Sequence, residues 1–508
     1  MASPQEKLAD SLQTLNLLQS EGKVAIRSSD LSRTHRERLL KAGFLQDVMK
    51  GWYIPSRPDD AKGESTAWYA SFWAFCAAYL TARFGDAWSL SPEQSLLLHA
   101  GNWSVPRQLL VRSPKAGNNV MALAYDTSLL EYQAELPADD QTEIIDELRV
   151  FTLPAALVAA GPQFFQQYPT DARTALAIVK DASDVLSVLL AGGHSFVAGR
   201  IAGAFRNIGC DKMAEEVMKT MRSADYAVRE NDPFEHARTL NVTTRALSPY
   251  VTRMQLTWLD MRETVIEVFP QAPGLAQDKD AYLNTVDEVY VEDAYHSLSI
   301  EGYRVSVDLI ERVRSGVWNP DGNENDDAQR DAMAAKGYLE AFEAVKKTVA
   351  DVLDGKNPGA AVDADHSTWY RELFSPSVRA GILAASDLAG YRNSPVHIRN
   401  AKHVPPRQDA VRDLMPAFFE LIQNEVDAAA RVVLGHFMFV YIHPYMDGNG
   451  RMGRFLMNVM LAAGGYPWTV IPVERRNDYM DALGAASTES NVRPFAEFLA
   501  DLVPAAQR

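Results

Sequence analysis

The segment HPYMDGNGRMGR, residues 443–454, lies between two apolar stretches that both have helical spacing. The first stretch ends at Ile442, and the second, FLMNVMLAAGG, begins at Phe455. Glycine permits a tight backbone turn, and the N–H groups at the N-terminus of a helix attract anions. We therefore predict a helix–loop–helix whose second helix begins with an anion-binding cradle at residues 448–450.

Four side chains of this segment have the chemistry of a nucleotide site. Arg451 and Arg454 are three residues apart and share a helix face, where both could bind phosphate oxygens. Asp447 offers a carboxylate to a Mg²⁺ ion that bridges phosphates. His443 is the natural general base, because its ordinary pKa is near neutrality.

Two other interpretations of the segment account for less of it. Residues 448–453, GNGRMG, match the dinucleotide fingerprint G-x-G-x-x-G, but that fingerprint needs a preceding strand in a βαβ unit, whereas a helix precedes it here. A plain helix–turn–helix corner would use the same turn residues. It does not explain why a histidine, an aspartate and two arginines converge on the corner.

The segment resembles the signature of the Fic family, His-x-Phe-x-Asp/Glu-Gly-Asn-Gly-Arg-x-x-Arg, with Tyr445 in place of the usual Phe. The resemblance extends over residues 280–503. Within it, Tyr391-Arg392 and residues 396–406 look like the family's flap, and residues 464–483 and 491–503 look like its closing helices. It implies a mainly α protein with an all-helical Fic fold and a β-hairpin flap.

The same resemblance implies a protein adenylyltransferase that moves AMP from ATP to a Ser, Thr or Tyr hydroxyl of a target protein or of itself. His443 would deprotonate that hydroxyl, and Asp447 would hold Mg²⁺. Arg451 and Arg454 would contact the β- and γ-phosphates. Gly450 stands where Doc-type kinases carry Lys, which favours nucleotidyl transfer over phosphoryl transfer. The ATP-binding residues implied are Glu301, Asn400, Ala401, Lys402, His403, Asp447, Gly448, Asn449, Gly450, Arg451, Met452, Gly453, Arg454, Tyr479 and Ser487.

Three of these assignments extend beyond the signature. Asn400 to His403 would align the target by main-chain pairing. Tyr479 matches a nucleoside-contacting aromatic residue. Ser487 stands where some relatives have Asn, so adenine recognition there stays open. The use of nucleotides other than ATP also stays open.

Residues 297–302, SLSIEG, match the family's inhibitory pattern, Ser/Thr-x-x-x-Glu-Gly/Asn, through Ser297, Glu301 and Gly302. We predict that the Glu301 carboxylate pairs with Arg454 and denies it to the γ-phosphate. The alternative is an ordinary surface glutamate near the end of a helix. A second role for Glu301 is also open, in which it positions a water molecule for the reverse reaction, the removal of AMP from a modified target.

Composition limits the remaining functions. The chain has 508 residues, a net charge of −16 and two cysteines, Cys76 and Cys210, which excludes a disulfide framework and a Cys-based zinc site. We find no membrane-spanning stretch and no secretion signal, and we predict a cytosolic protein. A homodimer stays open.

The first 58 residues carry nine Lys and Arg against six Asp and Glu, unlike the acidic remainder. Their pattern predicts a winged helix-turn-helix with short helices near Ser28 and from Thr34 to Ala42, and a ribbon around Lys50-Gly51. Its basic residues could contact duplex DNA, which would make the protein a DNA-binding regulator with the Fic domain as sensor or effector. A solvated basic face is the alternative. The candidate DNA-binding residues are Arg33, Arg36, Arg38 and Lys41.

The middle of the chain mixes helical stretches with short strand-like runs such as QLLVRS, residues 108–113. With the ribbon KGWYIPSR, residues 50–57, this layout resembles AbiEi-type antitoxins of bacterial abortive-infection systems over roughly residues 5–230. We therefore predict four regions. They are a winged helix-turn-helix (1–58), a mixed α/β to helical region (63–234), a helical region with the inhibitory pattern (241–340) and the Fic core (341–508).

Overall fold

The computed structural model describes residues 3–58, 64–234, 248–317 and 326–503. The chain forms two compact units. Unit 1 comprises residues 1–253 and 397–404, and unit 2 comprises residues 254–396 and 405–508. The predicted mainly helical class, with small sheets toward the N-terminus, is confirmed. The predicted region boundary at residue 241 lies outside the described residues.

Unit 1 begins with two helices and a three-stranded antiparallel sheet of order β1-β3-β2. These elements are α1 (Pro4–Ser20), β1 (Ile26–Arg27), α2 (Arg33–Lys41), β2 (Leu45–Met49) and β3 (Trp52–Pro55). The β2–β3 ribbon around Lys50-Gly51 is confirmed, but the short helix expected near Ser28 is wrong. There the Ser28 N–H bonds to the Gly51 carbonyl, and the Arg27 N–H bonds to Asp30, so the backbone forms a turn instead.

The middle of unit 1 holds a four-stranded sheet of order β4-β5-β7-β6 and a separate β8–β9 pair. β5 and β7 are parallel and the other pairs are antiparallel. The run QLLVRS forms β5, as predicted. The elements are α3 (Thr66–Phe84), β4 (Ser89–Leu90), α4 (Pro92–His99), β5 (Gln108–Ser113), β6 (Asn119–Ala122), β7 (Ser128–Gln133), β8 (Thr142–Ile145) and β9 (Leu148–Phe151).

Six helices follow β9 in unit 1. Their apolar faces share one buried cluster that includes Leu157, Ile201 and Phe205. They are α5 (Leu153–Ala159), α6 (Pro162–Gln167), α7 (Pro169–Ala177), α8 (Ala182–Gly192), α9 (Ser195–Asn207) and α10 (Asp211–Ser223).

Unit 2 is helical in its described residues and has α17 and α18 at its centre, both almost wholly buried. Its helices are α11 (Pro249–Val268, which begins in unit 1), α12 (Lys279–Ile300), α13 (Val307–Arg314), α14 (Asp326–Leu353), α15 (Pro358–Arg379), α16 (Val411–Asn424), α17 (Ala428–Ile442), α18 (Asn449–Gly464), α19 (Arg476–Glu489) and α20 (Arg493–Leu502). No helix among the described residues is long and apolar enough to span a bilayer.

The expected β-hairpin flap at residues 396–406 does not form strands. Pro405 and Pro406 lack a backbone N–H and cannot donate to a ladder. The Asn400 N–H and the Lys402 carbonyl bond instead to the Thr66 hydroxyl and the Val105 N–H. These bonds place residues 397–404 in unit 1.

Candidate active site

Two left-handed residues shape the loop between α17 and α18. His443, which has φ 52°, follows the end of α17 at Ile442, and Gly448, which has φ 80°, precedes α18. A Cβ atom built on Gly448 would lie 2.8 Å from the Phe374 ring, so both the backbone angle and the space require glycine there. The first intrahelical bond of α18 runs from the Met452 N–H to the Gly448 carbonyl. The N–H groups of residues 449–451 therefore have no intrahelical acceptor and can bind an anion.

The loop is fixed by side chains of its own segment. Asn449 accepts a hydrogen bond from the Tyr445 N–H at 2.9 Å and donates one to the Tyr445 carbonyl at 2.9 Å. The Tyr445 ring stacks on Tyr370 with ring centroids 3.9 Å apart. The cradle is thus held in place without a ligand.

Two buried arginines face the cradle. Arg451 is 1% exposed and lies between the rings of Tyr303 and Phe374, with its guanidinium carbon 5.2 and 5.0 Å from their centroids. Arg454 is 3% exposed and donates to the Ser297 hydroxyl at 2.9 Å and carbonyl at 3.0 Å. Within the described part of the chain, Arg451 Nε and Arg454 Nη1 have no hydrogen-bond partner. Buried unsatisfied donors on cations are the groups that an anionic ligand would satisfy.

Glu301 lies at the C-terminal end of α12 and forms an ion pair with Arg454, with 2.8 Å between Oε1 and Nη2. Burial acts to raise the pKa of its carboxyl group, but the guanidinium groups of Arg454 and Arg451 outweigh it, and the pKa is lowered. A Cβ atom built on Gly450 would lie 2.2 Å from Glu301 Oε1. Only glycine at position 450 therefore leaves room for this carboxylate.

His443 is half-buried, and its Nδ1 lies 3.1 Å from the Val440 carbonyl. Because a carbonyl can only accept, we assign the proton to Nδ1, which leaves the lone pair on Nε2. Burial lowers the pKa of His443 to about 4, and the nearby Arg392 cation lowers it further. At neutral pH the imidazole is uncharged and can accept a proton.

Asp447 is the candidate metal ligand. Its side chain is 66% exposed, Oδ1 accepts from the Gly448 N–H at 2.6 Å, and Oδ2 lies 3.5 Å from Arg451 Nη2. The described residues contain no group of three His, Cys, Asp or Glu that could enclose a metal ion. One accessible carboxylate fits Mg²⁺ that arrives with substrate phosphates and keeps several waters.

Of the other predicted residues of α18 and α19, Met452, Gly453 and Tyr479 are buried in the helical core and Ser487 is half-buried. Met452 and Gly453 pack on the inner side of α18, and the Gly453 carbonyl accepts from His436 Nδ1 at 2.8 Å. Tyr479 is 1% exposed and donates its hydroxyl to His436 Nε2 at 2.7 Å. The Ser487 hydroxyl bonds back to the Leu483 carbonyl at 2.5 Å, within its own helix. The predicted nucleoside contacts of Tyr479 and Ser487 stay predictions.

The predicted flap residues, Asn400 to His403, lie in unit 1. Asn400 accepts from the Ser65 N–H at 2.9 Å, at the N-terminus of α3, and Lys402 accepts from the Val105 N–H at 3.0 Å. The neighbouring Arg399 pairs with Glu64 at 2.8 Å. Three main-chain groups expected to pair with a target, the Asn400 and Ala401 N–H groups and the Lys402 carbonyl, thus have partners within unit 1.

The candidate DNA-binding residues share helix α2 but not one exposed face. Arg36 donates to the Ser28 carbonyl at 2.9 Å, and Arg38 donates to the Lys7 carbonyl at 3.3 Å. Arg33 pairs with Glu37 at 2.7 Å, and Lys41 is exposed. Glu37 adds a negative charge to the exposed side of this helix.

Two residues with contacts at this site had no predicted role. His436 bonds to both Gly453 and Tyr479, and Arg392 donates to the His443 carbonyl at 2.8 Å. His436 lies seven residues before His443 and was hidden in an apolar helix. For Arg392, the family resemblance predicts only a place in the flap.

Comparison with known proteins relates the C-terminal part of the chain to one family. Residues 366–461 match the Fic/DOC family. A segment of 222 residues, 42% of this chain, is 28% identical to "Protein adenylyltransferase Fic" of Drosophila willistoni and covers 40% of that protein. The Drosophila melanogaster protein of the same name matches with the same identity and coverage. The match thus spans about two-fifths of the length of these curated relatives.

Among solved structures, Fic-1 from C. elegans matches with TM-score 0.37 and 16% identity, over 66% of this chain and 88% of that one. A Fic-domain signalling protein from Bacteroides thetaiotaomicron matches with TM-score 0.34 and 17% identity, over 48% of this chain and 92% of that one. The likeness of the C-terminal part of the chain to the Fic/DOC family therefore rests on the sequence matches.

Proposed function

We propose that this Fic/DOC-family protein, related to protein adenylyltransferase Fic, transfers AMP from ATP to a Ser, Thr or Tyr hydroxyl of a target protein or of itself. The observation that supports this most is the convergence of three features on one loop. These are an uncharged histidine, two buried arginines with unsatisfied N–H groups, and a helix N-terminus with free amides. Together they suit a phosphate chain next to a general base.

In the proposed reaction, His443 Nε2 takes the proton of the target hydroxyl while that oxygen attacks the α-phosphorus of ATP. The new P–O bond forms as the bond to the β-phosphate breaks, and pyrophosphate leaves. The amides of residues 449–451 and the Arg451 guanidinium hold the phosphates that carry the growing negative charge. Mg²⁺ bound at Asp447 would supply further charge neutralisation on the phosphates.

Glu301 acts in this proposal as an internal brake. The γ-phosphate and the Glu301 carboxylate would compete for Arg454, since both need the same guanidinium N–H groups. The 2.8 Å ion pair and the close approach of Glu301 to Gly450 support this competition. ATP would then bind in a pose that does not lead to transfer.

The decisive experiment incubates the full chain with Mg²⁺ and ATP labelled at the α-phosphate. We expect label to enter the protein, and His443→Ala to abolish the labelling because the base is lost. His194→Ala is the matched control, since His194 is exposed in unit 1. Equal labelling of His443→Ala and His194→Ala would disprove the assignment of the base.

The reverse activity is a second use of the same site, in which Glu301 orients a water molecule that releases AMP from a modified protein. The Glu301 carboxylate, held beside Arg454 with its side chain still 28% exposed to solvent, supports this alternative. A pre-modified target would distinguish the two: metal-dependent AMP release that disappears in Glu301→Gln favours removal over transfer.

The basic N-terminal segment supports a separate proposal, that residues 1–58 bind duplex DNA. Arg36 and Arg38 donate to backbone carbonyls of the segment, whereas the Arg33 side chain is 83% exposed in its surface pair with Glu37 and Lys41 is exposed. Arg33 and Lys41 would therefore contribute most to phosphate binding. Binding should weaken steeply with salt, and Arg33→Ala with Lys41→Ala should reduce the salt slope by about two. Absence of binding to a mixed-sequence duplex at low salt would leave α2 as a solvated basic face.

A further inference from the structure

Arg392 lies in the loop after α15, in unit 2, and is 3% exposed. Among the described residues, no carboxylate lies within ion-pair distance of its guanidinium group. Its partners are carbonyl oxygens. Nε donates to the His443 carbonyl at 2.8 Å, and Nη2 donates to the Pro406 carbonyl and, at 3.4 Å, to that of Ile442. The Arg392 N–H also donates to the Pro444 carbonyl at 2.9 Å.

A buried cation without a carboxylate in contact is costly: burial lowers the pKa of Arg392 to about 10, although the charge of the more distant Asp409 acts to raise it. The C-terminal end of α17 offers compensation, because its last carbonyls have no intrahelical partner and carry the negative end of the helix dipole. The last turn of α17 contains no basic residue of its own. Arg392 therefore supplies the positive charge that this helix end lacks.

The same contacts surround an unfavourable backbone conformation. His443 has φ 52°, and a residue with a Cβ atom loses roughly 1 kcal/mol or more in this left-handed region. The bonds from Arg392 to the carbonyls of Ile442 and His443 and to that of Pro444 bracket this residue on both sides. They restrain the backbone that carries the imidazole ring, whose Nδ1 also lies 3.1 Å from the Val440 carbonyl.

We propose that Arg392 is a positioning residue that holds the left-handed turn at His443, so that His443 Nε2 faces the reacting hydroxyl, and that it ties this turn to the chain at Pro406. This inference rests on the proposed function only for the role of Nε2 as the base. The cationic guanidinium next to the ring also disfavours protonation of His443.

Two variants separate the charge of Arg392 from its geometry. Arg392→Gln removes the cation, and Arg392→Lys keeps a charge but loses the planar fork that reaches several carbonyls at once. Arg431→Gln is the matched control, because Arg431 is a half-buried arginine in α17 itself that donates to the Glu425 carbonyl at 2.7 Å. It lies toward the other end of the same helix.

Two readouts apply to the full chain. Titration of ¹³C-labelled histidines, with His443 assigned by its loss in His443→Ala, should show a raised pKa of His443 in Arg392→Gln and an unchanged one in Arg431→Gln. Labelling by α-labelled ATP should fall roughly 10- to 100-fold in kcat for Arg392→Gln, because the base is misplaced, with little change in the KM for ATP. The acid limb of the pH profile of labelling by Arg392→Gln should move to higher pH, because the pKa of the base is raised. Arg392→Lys should lose kcat while its His443 pKa stays low.

The outcomes are distinguishable. Loss of kcat in Arg392→Gln and Arg431→Gln alike, in proportion to loss of thermal stability, would reduce Arg392 to a structural residue and overturn the proposal. If Arg392→Gln does not fold, Arg392→Lys with wild-type kcat overturns it as well. If wild type shows no labelling but His443 still titrates differently in Arg392→Gln alone, the positioning role stands and the adenylyl transfer fails.

Discussion

The loop at residues 443–454 and the segment at residues 397–404 differ in what holds them. Several hydrogen bonds of the loop join residues a few positions apart, such as the Asn449–Tyr445 pair, although Arg392 reaches the turn at His443 from 51 positions away. The polar bonds of the segment reach to residues 64–66 and 105, and the bond between Ser65 and Asn400 joins residues 335 positions apart. Local spacing therefore encodes part of the first geometry, whereas the second depends on a distant part of the chain.

Glu301→Gly gives the largest expected effect. It tests whether Arg454, on the helix that follows the loop, is held by Glu301, a residue from a distant part of the sequence. Self-labelling should rise at least about tenfold, the equivalent of ~1.4 kcal/mol, because Arg454 becomes available to the γ-phosphate. Stability without nucleotide should fall, since a buried charge loses its partner, and ATP should restore part of it. Thermal unfolding with and without ATP measures both.

Glu292→Gly is the control for this prediction, because Glu292 is an exposed glutamate on the same helix. Because Glu292 lies within α12 and Glu301 only caps it, Glu292→Gly should weaken the helix at least as much through the glycine penalty, without raising the labelling. Arg454→Ala should be inactive with or without Glu301. Unchanged labelling in Glu301→Gly would return Glu301 to an ordinary residue at a helix end.

Gly450→Ala tests the same restraint through packing. Its Cβ atom would lie 2.2 Å from Glu301 Oε1, so we expect a stability loss of about 1–3 kcal/mol in the wild-type background. In a Glu301→Gly background the loss should shrink to less than about 1 kcal/mol, because the obstructing carboxylate is gone. The double-mutant cycle by chemical denaturation measures this coupling. Additive losses would mean that Glu301 does not occupy this space.

How far the sequence predicts the structure follows the same division. The conformation of the loop and the contact between Glu301 and Arg454 could be predicted, because sequence patterns of fixed spacing contain these residues. The docking of residues 397–404 on α3 and the carbonyl contacts of Arg392 could not, because no local pattern marks a hydrogen bond to a distant backbone group. The prediction of a helix near Ser28 is wrong for a related reason. The Ser28 N–H bonds to the Gly51 carbonyl and the Arg27 N–H bonds to the Asp30 carboxylate.

Asn400→Ala tests the segment side of the comparison. Asn400 accepts from the Ser65 N–H at the start of α3, so its loss should cost about 1 kcal/mol locally. Hydrogen exchange of the amides at residues 65–70 should accelerate roughly fivefold, which is the same free energy. Exchange at residues 443–454 should not change.

Asn393→Ala is the control for Asn400→Ala, because Asn393 is exposed and lies outside the docked segment. It should leave the exchange of both regions at the wild-type rate. Equal acceleration at residues 65–70 and 443–454 in Asn400→Ala would contradict the separation of the two regions.

Tyr445→Phe gives the smallest expected effect and examines the one departure of the loop from the family signature. The Tyr445 hydroxyl is buried without a hydrogen-bond partner among the described residues, whereas its stacking partner Tyr370 donates to the Asp387 carbonyl at 3.0 Å. Deleting an unsatisfied buried hydroxyl should leave the free energy of unfolding unchanged or raise it by up to about 1 kcal/mol, and labelling should persist.

Tyr370→Phe makes the same chemical change in the same aromatic stack but removes a hydrogen bond, so it should cost about 1 kcal/mol. Denaturant unfolding of the two variants side by side separates the contribution of the ring to the free energy of unfolding from that of the hydroxyl. If Tyr445→Phe destabilises as much as Tyr370→Phe, the Tyr445 hydroxyl has a hydrogen-bond partner in solution, and Tyr445 holds the loop through its hydroxyl as well as its ring.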